Sequence, residues 1–286
     1  MTALALGLVL ASALFHATWN LMAKRAGGGA AFVWLADLLA LAVFFPLFVW
    51  DLLSGNSSIG PLQVLFMVGS GTLHVTYFLT LLRGYRAGDL SLVYPLARGT
   101  GPVISTAGAI ILFAERPSLL ALGGAGLIAL GAFLLTGGPR ALAAGNAVPA
   151  AGYGLLTGVL IGAYTLWDKA GLSVGMLSPL VLYYGGTLTR AAILLPRMAR
   201  RKQQFQAEWR AHKPELFAVA VLGTLSYLLV LVALGMSPVS YVAPAREISI
   251  LLGAIMGARF LAEGDSLRRL AASGAMVVGV VALAVG

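Results

Sequence analysis

The sequence contains no cysteine, and only 10% of its 286 residues are charged. The first absence excludes a disulfide framework, a thiolate metal site and a cysteine nucleophile. The second excludes a water-soluble globule, because a soluble domain carries roughly 25% charged residues. Histidine is nearly as scarce, with three residues, and no HExxH, GxSxG or phosphate loop is present. A metalloprotease, a serine hydrolase and an ATP-driven pump therefore lack their machinery. Gly27-Gly28-Gly29 falls at the edge of an apolar run, and Gly123-Gly124 with Gly126 lies inside one with no strand before it. Both read as turns or packing rather than nucleotide loops, and neither a cofactor nor a metal is expected.

What the chain has instead is apolar length. Hydrophobic residues make up 59% of it and the mean hydropathy is +0.92. A helix crosses the hydrocarbon core with about 20 apolar residues, and charge clusters, glycines and prolines divide the chain into ten such spans. They cover 3–23, 31–50, 61–82, 90–113, 118–136, 149–167, 179–196, 214–234, 239–258 and 267–285. Pro61, Pro117, Pro149, Pro179 and Pro214 sit at or just before span starts, where a missing N–H costs least. Met1-Thr2-Ala3 offers no basic leader and the first run continues to Lys24-Arg25, so the first span is expected to stay in place as a helix.

The net charge of +9 and the isoelectric point near 10.2 suit a membrane orientation signal better than a nucleic-acid footprint. Counted from the N-terminus, the odd-numbered loops hold fourteen cations, while the even-numbered loops and the termini hold Arg116 and Lys169. That asymmetry places both termini outside the cytoplasm. The stretch from Arg197 to Glu215 reads as a basic cytoplasmic connector that meets anionic lipid headgroups.

Shifting the chain by 148 residues lays Arg98 on Arg246, Glu115 on Glu263, Ser118 on Ser266, Gly126 on Gly274 and Gly131 on Gly279. The same shift lays Gly101, Ser105 and Ala109 on Ser249, Gly253 and Gly257. A shift of 145 lays Ala17-Thr18-Trp19 on Gly162-Ala163-Tyr164 and Lys24 on Lys169. The chain thus reads as two five-helix units, residues 1–139 and 148–286. Because five is odd, the second enters the membrane from the opposite side, an inverted-topology repeat of the kind that exchanges roles about a central site.

Each half resembles the five-helix unit of the EamA-type branch of the drug/metabolite transporter superfamily. The resemblance is carried by Tyr94-Pro95 leading into a small-residue helix, by Ala114-Glu115-Arg116-Pro117-Ser118, and by a glycine-rich fifth helix from Gly126 to Gly131. The second half repeats these as Ala243-Pro244, Ala262-Glu263-Gly264-Asp265-Ser266 and Gly274 to Gly279. The resemblance covers nearly the whole chain. It implies an all-α integral membrane protein of ten helices that carries small organic metabolites, most similar in size to the amino acid exporters of bacterial inner membranes. A drug or sugar-derivative carrier, a non-transporting membrane enzyme and a scaffold remain open. A small-molecule substrate and membrane lipid are the expected partners, with no nucleic acid, and the protein is a monomer or a homodimer.

Ionisable residues inside spans each cost about 2.5–3.5 kcal/mol on insertion scales, so each needs a partner or a wet cavity. Asp37, Arg98, Arg190, Arg246, Glu247, His16 and His74 are these residues. Pro95 and Pro244 precede the two repeat-related arginines and free a carbonyl beside each, as at a broken helix that accepts a carboxylate. The opposing reading is that Glu247 neutralises one arginine as a structural pair. His16 and Asn20 share a face next to Trp19; His74 and Tyr77 share another, as do Tyr94 with Arg98 and Tyr164 with Trp167. With Tyr227 mid-span, these rings make a wall suited to a zwitterion with an apolar side chain. Trp167 also suits an interface anchor. The cavity is expected between spans 1, 3, 4, 6, 8 and 9. Ala150, Gly154, Gly158 and Gly162 form a ladder for close helix approach, read as packing within the chain.

Overall fold

The computed structural model describes residues 1–26, 29–55, 57–87, 90–135, 147–252 and 266–286, and among these the chain forms helices and no strand. In chain order they are α1 (Ala3–Arg25), α2 (Ala30–Leu53), α3 (Pro61–Ala87), α4 (Leu90–Leu112), α5 (Leu119–Leu135) and α6 (Ala147–Ser173). There follow α7 (Pro179–Ala199), α8 (Lys202–Ala211), α9 (Lys213–Met236), α10 (Val239–Ala245) and α11 (Ser266–Val285). Only helices or closed barrels satisfy every backbone group in hydrocarbon. Five of these, α1, α2, α3, α6 and α9, are long and apolar enough to cross a membrane, and shorter apolar helical stretches cover 96–112, 119–134 and 271–285. The protein is an all-helical, multi-pass membrane protein.

Local chemistry sets the helix ends. Thr2 accepts from the Ala5 amide at 3.2 Å to start α1, while Lys24 and Arg25 face the negative end of its dipole. Ser118 caps the start of α5 through the Ala121 amide at 3.0 Å, and Ser178, followed by Pro179, caps α7 through the Val181 amide at 3.1 Å. At the end of α4, Ala114 turns left-handed with φ 53°. That turn brings Glu115 to the start of α10, where its carboxylate accepts from the Val239 amide at 2.7 Å and from the Ser240 amide at 2.9 Å.

Two elements differ from the sequence reading, and a third shows the broken helix that Pro244 leads one to expect. No proline separates Trp167 from Ser173, and Gly171 is tolerated inside the helix, so α6 runs past the expected end at 167 and takes Asp168 and Lys169 into the helix. Lys169, read above as a loop cation, reaches across to the carbonyls of Leu234 and Ser237 at 2.6 and 3.4 Å. The basic connector is itself partly helical, as α8. The ninth span is interrupted: α10 ends at Ala245, residues 246–247 form a turn, and the helix resumes at 248. Pro244 has no N–H to offer, and the bonds from Glu247 to Pro244 and from Ser249 to Arg246 tighten to three-residue spacing. Residues 253–265, with Gly253, Gly257, Glu263 and most of the second EamA-like motif, lie outside the described residues.

The burial pattern is that of a protein dissolved in lipid. Leu4, Phe45, Leu65, Ile111, Leu188 and Val281 are exposed, whereas Asp37, Arg98, Asp168 and Glu247 are buried. Since lipid is as apolar as leucine, close packing rather than hydrophobic exclusion holds such helices together. The ladder on α6 lies against α4: a Cβ added at Gly154, Gly158 or Gly162 would meet Leu96, Thr100 or Ile104 within 3 Å. Gly124 of α5 and Gly279 of α11 approach so closely that a Cβ on either would stand 2.6 Å from the other's carbonyl oxygen. Contacts between the halves come in exchanged pairs: α1 packs on α9 as α3 packs on α6, and α3 on α7 as α2 on α9.

Candidate functional site

Each charge in the interior of the helix bundle can be placed. Arg98 on α4 lies with Nε 3.1 Å from Oε2 of Glu247 and donates from Nη2 to Ser249 Oγ at 3.2 Å. Arg190 on α7 holds Asp37 on α2 with both arms of its fork, Nε lying 3.1 Å from Oδ2 and Nη2 bonding Oδ1. Two ion pairs therefore tie helices from opposite halves. Arg246, at the interruption after α10, makes no ion pair among the described residues. Its guanidinium instead lies over the Tyr227 ring, 5.5 Å from the centroid. The same Tyr227 donates its hydroxyl proton to Asp168 Oδ2 at 2.5 Å.

Around Tyr227 the rings close up. His74 stacks on Tyr164 with centroids 4.2 Å apart and meets Tyr227 edge-on at 5.3 Å. Tyr77 and Tyr183 complete the group, 5.7 Å from Tyr164 and 6.2 Å from Tyr227 respectively. His74 Nδ1 lies 2.8 Å from the Ser70 carbonyl, which can only accept, so a neutral ring keeps Nε2 as an acceptor. Helix geometry explains the convergence: His74 and Tyr77, like Tyr164 and Asp168, lie three or four residues apart and project together.

A small hollow, with room for about one water molecule, opens beside these rings, walled by Ser70 and His74, Asp168, Tyr183, Thr187 and Arg190, and Tyr227. It lies between the third, sixth, seventh and eighth spans. Of the first, third, fourth, sixth, eighth and ninth spans between which the sequence reading expects the cavity, the third, sixth and eighth border this hollow, and the seventh joins them. Tyr183, Thr187 and Arg190 recur at i, i+4 and i+7 on α7, the spacing of one helix face, and that stripe is the signal by which they could be found.

The remaining sequence candidates lie elsewhere. On α1 the His16 and Trp19 rings meet edge-on at 5.1 Å, and Asn20 is exposed with its amide donating to the His16 carbonyl at 2.7 Å. Tyr94 lies under the Arg98 guanidinium at 5.9 Å. Trp167 donates Nε1–H to the Phe66 carbonyl at 2.9 Å and packs where Gly69 leaves room, so it locks α3 to α6. The sequence reading omits Asp168, because ending the span at Trp167 puts that acid in a loop. It omits Ser70, Tyr183, Thr187 and Arg190 from the binding set as well.

Fold and site together define a multi-pass helical membrane protein with a charged, aromatic interior. Residues 148–285, a little under half of the chain, match the model of the EamA-like transporter family. Among solved structures, a crystal structure of a protein at 16% identity superposes with a TM-score of 0.75, covering 99% of this chain and 96% of that one. At that identity the likeness speaks for the fold alone. No curated protein matches the sequence.

Proposed function

We propose that the protein is a secondary carrier that exports amino acids across a bacterial inner membrane by alternating access, with both termini on the non-cytoplasmic face. The observation that carries this reading is Arg246. A guanidinium held over a tyrosine ring at a helix interruption, with no ion pair among the described residues, is a place for a substrate carboxylate. Arg98, whose charge Glu247 already meets, is the weaker of the two repeat-related arginines for this role. His74, Tyr77, Tyr164 and Tyr227 supply hydrogen bonds and walls for the side chain. His16, Trp19 and Asn20 on α1 and Tyr94 on α4 line the route to it, while Trp167 holds α6 against α3 beside it.

The duplicated halves, 1–139 and 148–286, would rock against each other about that site. The exchanged pairing of α1 on α9 with α3 on α6 supports such a symmetry. Expression in a sensitive bacterium tests the substrate class. Cells should tolerate toxic amino acid analogues better and toxic organic cations no better; protection against the cations alone would point to a drug carrier instead.

A further inference from the structure

Among the interior charges of the described residues, Asp37, Arg98, Arg190 and Glu247 are consumed in two ion pairs. Asp168 and Arg246 remain, and Tyr227 touches both without bringing them together. Asp168 is fully buried, at 0% exposure, and walls the cavity. Its Oδ2 accepts from Tyr227 and the Ser70 hydroxyl stands near the carboxylate, but Oδ1 has no hydrogen bond of good geometry and no cation pairs with the acid among the described residues.

The groups facing Asp168 come from every helix packed around it. The Ser70 hydroxyl and His74 come from α3, Tyr183 and Arg190 from α7, Tyr227 from α9, and Arg246 from beyond α10. Arg98 on α4, behind α6, is held by Glu247. Lys169, next in sequence, is turned away to the Leu234 and Ser237 carbonyls. An unpaired buried carboxylate costs several kcal/mol unless a cation meets it. Across the same cavity Thr187 Oγ1, at 1% exposure, is also buried without a partner. Two orphaned oxygens in one small, ring-walled space form a cradle for a group with several N–H donors and a positive charge.

We propose that Asp168 is the ammonium-binding group of the substrate site, with Thr187 as a second acceptor, so that the cavity selects ligands bearing a primary ammonium. This deepens the amino acid reading above: a zwitterion would place its ammonium at Asp168 and its carboxylate at Arg246, one on each side of Tyr227.

The test is direct binding to the purified full-length protein in detergent by titration calorimetry, with phenethylamine and 3-phenylpropanoate as probes. Phenethylamine should bind the wild type, and Asp168→Asn should weaken it about tenfold or more, the loss expected for a charge-assisted hydrogen bond. Thr187→Val, which keeps the charge, should weaken it about threefold. 3-Phenylpropanoate should bind both variants as it binds the wild type, which also reports that they are folded. Equal phenethylamine binding by wild type and Asp168→Asn, or no binding to the wild type, overturns the proposal, as does protonation of Asp168 in place of amine binding. Asp168-dependent amine binding without amino acid flux would leave the ammonium site standing and remove the amino acid reading. Amino acid flux unchanged by Asp168→Asn would do the reverse.

Discussion

Arg98 and Glu247 lie 149 residues apart in the chain, and the guanidinium Nε sits 3.1 Å from the carboxylate Oε2. Glu247 thus serves the arginine of the first half rather than Arg246, its own neighbour and the repeat counterpart of Arg98. The ion pair ties α4 to the interrupted ninth span. It also leaves Arg246 as the interior arginine without a carboxylate partner among the described residues, which is why the two related arginines divide into one structural and one available cation.

Removing one member of that pair strands the other in a buried site. Glu247→Gln should lower stability by about 3–5 kcal/mol, seen as a lower Tm of the purified protein in detergent. Replacing both at once, Arg98→Met with Glu247→Leu, should recover most of the loss. A Glu247→Gln protein as stable as wild type would mean that the pair contributes nothing.

The α6 ladder gives a prediction with its own control. A Cβ at Gly158 would stand 2.6 Å from Thr100 Cβ and 3.1 Å from the Ala97 carbonyl, whereas one at Gly152 meets nothing within 4 Å. Gly158→Ala should therefore cost about 1–3 kcal/mol, while Gly152→Ala should be neutral or slightly stabilising. Thermal unfolding of the two variants side by side checks the difference.

Ser178 performs two tasks at the start of α7: it caps the helix at the Val181 amide and donates its hydroxyl to Asp51 at the end of α2. Ser178→Ala should cost about 1 kcal/mol for the cap alone. Ser178→Asn, which can still cap, should lose less. Tm shifts that are equal for the two variants would contradict the capping role.

These particulars show what the sequence can and cannot carry. Lys24-Arg25, Pro61, Ser178-Pro179 and the α6 glycines act through local rules of charge, φ restriction and Cβ volume, so most span limits and the close approach at the α6 ladder are legible from the residues, while α4 as its partner is not. The ring group is half legible: the spacing of His74 and Tyr77 puts them on one face, but their meeting with Tyr164 and Tyr227 depends on how α3, α6 and α9 cross. Asp168 is illegible for a different reason. In Trp167-Asp168-Lys169 two charges resemble the end of a span, and only the continuation of α6 to Ser173 turns the acid into the cavity. The choice of Glu247 between two arginines is a tertiary matter that no local rule decides.

The lack of native cysteine makes the orientation directly measurable. Ser58→Cys, between α2 and α3, and Gln204→Cys, on α8, both put a thiol at an exposed position. A membrane-impermeant maleimide added to intact cells should label the first, and should label the second only after permeabilisation. The opposite pattern would invert the topology inferred from the loop cations.

Flux through liposomes containing the purified protein bears most directly on the claim that this chain carries amino acids at the site around Arg246 and His74. Wild-type proteoliposomes should release loaded amino acids faster than empty liposomes. Arg246→Met should abolish most of that release and His74→Ala should reduce it, with both variants still folded. Release no faster than from empty liposomes across a broad amino acid panel, or full activity in Arg246→Met, would contradict the account.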